Sequence, residues 1–567
     1  MASSHDSTSS HRSSKSVPSS PRRRSSSSMA SSSSSRRQRS VDFTERHSVE
    51  SEHHLLGSIQ ERSTDVVINT LPRESIENPP LILTNYAISC AMGASIASLL
   101  FGLVIGVMSE APAYIKKDRR ITEEHVDFQA GIINSFSVLG AAMAGGIADW
   151  IGRRSSIKLT STFFFVGMLL MGLGPNNALL LGGRAISQVG IGLALTIAPV
   201  YIAEISPAIF RGLLTSFPEV FINLGTLLGI ACNYTIPMLV LNHRWLLMFG
   251  LGTLSSVLLT IGIRVMPESP RWLAMQGRRN DAKQVLTRTY NSDVEADRQL
   301  AEIMEALDKF EGSMRRELHN PTLVTWHMKL CAVGINVIQQ ACGVETMLLY
   351  SPRIYEKAGL TSTNWKMFLP IIVHMAKTLP ILIPIFRLDM DGRRNLMLIS
   401  LGGMSLSLGV LGTCLVSIDR NGFLSWLAIA SIASFVFYVA FYAIGVGPIT
   451  SIYSSEVFTL RLRAHGHATA VAVNRGMNVI FTIMFIPLYK AITLGKVAFI
   501  FMTMSILGGV AVYHVMPETK GKTLEELWWS FGKILPWMSN ATGTTEARTR
   551  TETETGRSIE MAQAQGG

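Results

Sequence analysis

The sequence predicts an all-α membrane protein with twelve transmembrane helices in two pseudo-symmetric six-helix bundles. Three observations carry that prediction. Charged residues make up only 16% of the 567 residues, against about 25% in soluble domains. A dozen apolar stretches are each long enough, at roughly 20 residues, to cross about 30 Å of hydrocarbon as a helix. Charged motifs recur at matching places in the two halves of the chain.

The formal net charge of +11 would suit a nucleic-acid partner. Most Lys and Arg, however, sit between apolar runs or in the N-terminal tail, so the expected partner is a lipid bilayer and not a nucleic acid. Cys90, Cys232, Cys331, Cys342 and Cys414 lie in apolar stretches without metal-ligand spacing and read as buried small residues. No metal and no cofactor are expected. The chain has no Walker loop, Cys/His metal spacing or Gly-x-Ser-x-Gly elbow, which argues against an enzyme and an ATP-driven pump.

Residues 1–80 are rich in Ser and Arg and too poor in apolar surface to offset their ordering entropy, so they are expected to be a disordered cytosolic tail. A transit peptide is the alternative reading of that composition. Ser25 and Ser40 follow arginines and are candidate phosphorylation sites. Expected spans lie near 84–108, 128–148, 157–175, 178–203, 213–240 and 244–266, within a first bundle 81–266. A polar linker, 267–327, carries a helical pattern from Val294 to Phe310. The second bundle, 328–516, has spans near 328–351, 365–388, 396–417, 422–449, 464–489 and 494–516, followed by a cytosolic tail, 517–567.

The loops after even-numbered spans are the basic ones, which puts both termini in the cytosol. Lys116, Lys117, Arg119 and Arg120, after the first span, dissent.

The repeat lies in the charged loops. Asp149-Trp-Ile-Gly-Arg153-Arg154 returns 240 positions later as Asp389-Met-Asp-Gly-Arg393-Arg394. Glu204 and Arg211 are matched by Glu456 and Arg463, and Pro267-Glu268-Ser269 by Pro517-Glu518-Thr519. A single solvated loop charge is worth little. The duplicated set, with Arg184 early in the fourth span, reads instead as a cytoplasmic gate whose ion pairs bias a two-state equilibrium between the halves.

These residues carry a likeness. The two Asp-x-x-Gly-Arg-Arg motifs, Gly183-Arg184, Pro199-Val-Tyr-Ile-Ala-Glu204, Pro267-Glu-Ser-Pro-Arg-Trp-Leu273, Gln339-Gln340-x-x-Gly343 and Pro517-Glu-Thr-Lys-Gly521 resemble the sugar porter family of the major facilitator superfamily. Ser216-Phe-Pro-Glu-Val-Phe-Ile-Asn223, Tyr350-Ser-Pro-Arg-Ile354, Gly447-Pro-Ile-Thr450 and Val473-Asn-Arg475 are similar to its plant polyol/monosaccharide branch. The resemblance implies a major facilitator fold and secondary transport of a monosaccharide or linear polyol, often with a proton. It implies a substrate site made of Glu219, Thr226, Gln339, Gln340, Glu345 and Asn474. Amides suit the many hydroxyls of such a ligand. It also implies a monomer, and the plasma membrane is expected ahead of the vacuolar one.

This chain departs from the family in ways that bear on coupling. The family's helix-one Gly-Tyr-Asp supplies the proton-binding acid, and here it reads Gly102-Leu103-Val104. Ser451 stands where the branch has a Trp, and Gln188 where it has a Gly. Glu219 and Glu345, each placed where an ionised carboxylate is costly, are the candidate proton carriers. An uncoupled facilitator and a transport-impaired sugar sensor stay open as alternatives.

Overall fold

In a computed structural model of the protein, the described residues are 83–119, 123–173, 177–239, 244–264, 266–309, 323–359, 363–422 and 424–520. The N-terminal tail with Ser25 and Ser40, the linker segment with Arg315 and Arg316, and the C-terminal tail beyond Lys520 lie outside them. The described chain is helical throughout. The first half comprises α1 (Asn85–Arg119), α2 (Glu123–Ile151), α3 (Arg153–Leu173), α4 (Asn177–Ile205), the short α5 (Arg211–Thr215), α6 (Phe217–Leu239) and α7 (Arg244–Ile263). Helices α8 (Pro270–Met275), α9 (Arg279–Tyr290) and α10 (Asp293–Lys309) form the linker.

The second half comprises α11 (Leu323–Ala341), α12 (Val344–Leu349), α13 (Ser351–Lys357), α14 (Thr363–Thr378), α15 (Leu382–Asp391), α16 (Arg393–Asn421), α17 (Ser425–Ile444), α18 (Val446–Glu456), α19 (Arg463–Ile492) and α20 (Leu494–Val515). Ten segments among the described residues are long and apolar enough to cross a membrane. Helices α2 and α7 complete twelve crossings. The chain is an integral, multi-pass membrane protein of two six-helix bundles.

Each half has its own buried core. One runs from Ala87 through Met266 and takes in the linker residues Val285, Leu286 and Ile303, with Leu460 and Ala464 of the second half at its edge. The other runs from Met328 to Met516. Large apolar side chains such as Leu139, Leu254, Phe386, Leu406 and Phe437 remain exposed on the outer faces, as a surface solvated by lipid requires. Lipid gives apolar helices no reason to prefer each other over tails, so close packing has to hold them together. Glycines provide it between α1 and α6. A Cβ on Gly102 would lie 1.9 Å from the Ile222 carbonyl oxygen, and one on Gly225 would lie 2.1 Å from that of Leu99.

Besides a one-residue interruption of the fifth span at Ser216, three spans expected to be continuous are broken. The seventh divides at Gly343, whose φ of +78° needs glycine. The eighth divides between Thr378 and Leu382, around Pro380. The tenth divides at Gly445, where Ser400 Oγ accepts the Val446 N–H at 3.1 Å and so satisfies a donor freed by the break. At the other end of the first span, α1 continues to Arg119. The dissenting basic residues up to that point therefore extend a helix rather than a loop.

Candidate functional site

The duplicated motifs build the same charged cluster twice. After Asp149, Gly152 adopts φ +90°, ending α2 and letting α3 start at Arg153. A new helix exposes unsatisfied N–H groups. The Glu268 carboxylate takes those of Arg153 and Arg154 at 2.8 and 3.0 Å, which also places an anion at a helix N-terminus. Burial pushes this carboxyl up from its ordinary value, and the amide donors pull it back. The Arg153 guanidinium pairs with Glu204 and Asp149, each at 3.0 Å. Ser269 Oγ donates to the same Glu204 at 2.5 Å.

The second half repeats this almost atom for atom. Gly392 has φ +88°. Glu518 accepts the N–H groups of Arg393 and Arg394 at 2.9 and 3.0 Å. Arg393 pairs with Glu456 at 3.1 Å and Asp389 at 3.2 Å, and Thr519 Oγ1 donates to Glu456 at 3.3 Å.

These clusters meet across the halves. Asp389 Oδ2 accepts the Leu213 N–H at 3.1 Å, next to Arg211 at the head of α5. In the mirrored position, Asp149 lies 3.3 Å from His465 Nε2, next to Arg463 at the head of α19. Arg211 and Arg463 are both buried. The two bundles are therefore latched to each other at the end that carries the motifs.

Between the bundles, beyond this latch, is a cavity of about 240 Å³. That is well above the roughly 10–15 Å³ that a single water needs, so the cavity can be wet and can admit a small ligand. Glu219 and Thr226 line it from the first half; Gln339, Glu345 and Asn474 line it from the second. Six residues apart on a regular helix, Gln339 and Glu345 would point about 120° away from each other. The break at Gly343 brings them to the same wall.

A continuous polar network runs along that wall. Gln339 Nε2 donates to the Tyr442 hydroxyl and the Gly447 carbonyl, each at 3.2 Å. Asn474 Nδ2 donates to Gln339 Oε1 at 2.6 Å, and Asn474 Oδ1 accepts from Gln340 Nε2 at 3.1 Å. Asn478 Nδ2 joins Gln340 Oε1 at 3.2 Å to Glu345 Oε2 at 2.7 Å. Arg475 closes the network, with Nη2 3.2 Å from Glu345 Oε1 and 2.6 Å from Asn474 Oδ1.

The sequence candidates thus separate into three kinds. Gln339, Glu345, Asn474, Glu219 and Thr226 face the cavity, while Gln340 sits behind them, buried, as a support. Thr226 Oγ1 donates to Ile222 O of its own helix at 2.9 Å. All the proposed gate charges lie at the latched end except Arg184. It lines the cavity, because twenty residues of helix, about 30 Å, separate it from Glu204. Lys377, Arg475, Tyr442 and Asn478 were not singled out from sequence, yet all four line the cavity.

Comparison with known proteins adds the following. Residues 90–531 match the family model described as Sugar (and other) transporter. Polyol transporter 5 of Arabidopsis thaliana is 43% identical over 478 residues, covering 81% of this chain and 89% of that one. The D-xylose-proton symporter-like 2 of the same plant is 31% identical, covering 80% and 94%. Among solved structures, the proton:xylose symporter XylE bound to 6-bromo-6-deoxy-D-glucose superposes with a TM-score of 0.71 at 27% identity, covering 79% of this chain and 99% of that one. The inward-open conformation of XylE from E. coli scores 0.59 at 26% identity, covering 78% and 99%.

Proposed function

The chain belongs to the Sugar (and other) transporter family, and on that premise we propose that it carries a monosaccharide or linear polyol across a bilayer with a proton, by alternating exposure of the central cavity. One observation carries this reading. A polar cavity between two apolar bundles is lined by amides and carboxylates from both halves, and paired ion clusters latch those halves at one end. Cargo contacts and the latch thus belong to the same moving interface. The latched end faces the cytosol, on the evidence of its basic loops, and both termini lie there. The site is complete within one chain, which supports a monomer.

The proton carrier is Glu219. Val104 cannot titrate, and Glu345 is held by Arg475 and Asn478. Glu219 faces the cavity, as does Lys377, so protonation and cargo binding share one space.

In proteoliposomes, an inward proton gradient should drive polyol accumulation, and Glu219→Gln should lower that accumulation at least tenfold. Wild-type uptake indifferent to the gradient would make the protein a facilitator. Substrate-evoked proton entry that survives both Glu219→Gln and Glu345→Gln would place the proton elsewhere.

A further inference from the structure

The cavity's charges do not balance. Arg184, Lys377 and Arg475 line it on the basic side, and Glu219 and Glu345 on the acidic side. Glu345 is taken by Arg475 at 3.2 Å, and Lys377 and Glu219 share the cavity as one cation and one acid. Arg184 is left over. Its Nε is buried and has no hydrogen-bond partner. No acid among the described residues forms an ion pair with it. The apolar Val104 lines the same cavity. A guanidinium withdrawn from water without an anion is unstable, and its planar fork matches a carboxylate through two parallel hydrogen bonds.

We propose that Arg184 receives the carboxylate of the cargo, so that the carrier prefers sugar acids, aldonates or uronates, over the neutral sugar or polyol of the same length. This deepens the carrier reading above and rests on it. The amide wall of Gln339 and Asn474 reads the hydroxyls, and Arg184 reads the charged end. A single carboxylate is the matching charge while Glu219 is ionised, because one cation, Arg184, is then in excess.

The test uses the full chain in detergent and in proteoliposomes, with gluconate, glucitol, acetate and glucose 6-phosphate as probes. Gluconate should bind and be taken up at least ten times more effectively than glucitol. Acetate, an anion without hydroxyls, should not compete at the same concentration. Glucose 6-phosphate, a dianion, should bind no better than gluconate.

In Arg184→Gln the gluconate-to-glucitol ratio should fall to within about threefold, while Arg184→Lys keeps part of it. That ratio is read independently of how much protein folds, and binding to the wild type needs no variant. Gluconate no better than glucitol, a preference that survives Arg184→Gln, or a tighter hold on the phosphate would each overturn the assignment and leave the carrier standing. Uptake of neither gluconate nor glucitol would overturn both.

Discussion

Arg153→Met is expected to lower stability by about 3–5 kcal/mol, the penalty of leaving a buried charge without its partner. The Arg153 and Glu204 side chains are both 0% exposed and meet at 3.0 Å, with Asp149 on the same guanidinium. Methionine fills much of the volume but abandons Glu204 to the Ser269 hydroxyl alone. Arg153→Lys should be milder, since one ammonium keeps the charge yet cannot span both carboxylates. Because the second cluster repeats the first, Arg393→Met should do comparable damage through Glu456. Thermal unfolding of the purified variants in detergent measures this. A loss below about 1 kcal/mol, the range of exposed pairs, would mean that these clusters are solvated ornaments.

The second large effect is expected at the centre of the cavity wall. Asn474 Oδ1 accepts from Gln340 and from Arg475, and its Nδ2 donates to Gln339 and to the Asn336 carbonyl. Asn474→Leu has similar bulk but unties all four. Gln339 and Gln340 then lose the partner that aims them, and a hydroxyl-rich cargo meets unpaired amides. Initial-rate uptake should lose at least 100-fold in kcat/KM, equivalent to about 2.7 kcal/mol. Thr226→Val is the contrast. Its hydroxyl already serves its own helix, so uptake should change by less than about threefold. Equal losses at both positions would remove the network from cargo recognition.

Much of this was legible because a charge in an apolar chain is informative. The two Asp-x-x-Gly-Arg-Arg motifs stood out for that reason, and each turns at a glycine with positive φ, Gly152 or Gly392. What sequence could not supply was which acid meets which arginine. The repeat paired Glu268 with Glu518, but not with the helix N-termini at Arg153 and Arg393 that they cap. Arg184 was grouped with Glu204 because they share a span, and length along the helix separates them.

Lys377 and Arg475 were within reach, since an ionisable residue in an apolar span marks a functional site. The breaks differ in the same way. Gly343 sits among polar residues that hint at it, whereas Gly445 lies in a stretch that stays apolar on either side.

The central claim is that the Asp149 and Asp389 ends of the bundles open and close around a fixed cargo site. Spin labels at Lys158 and Asn395, both exposed near the starts of α3 and α16 in opposite halves, would report on it in a background freed of the five native cysteines. Pulsed electron–electron distance measurements without cargo should give one short population. A second, longer population should appear when gluconate or a polyol is added at low pH. A single distance, unmoved by cargo and proton in protein that still transports, would contradict the account.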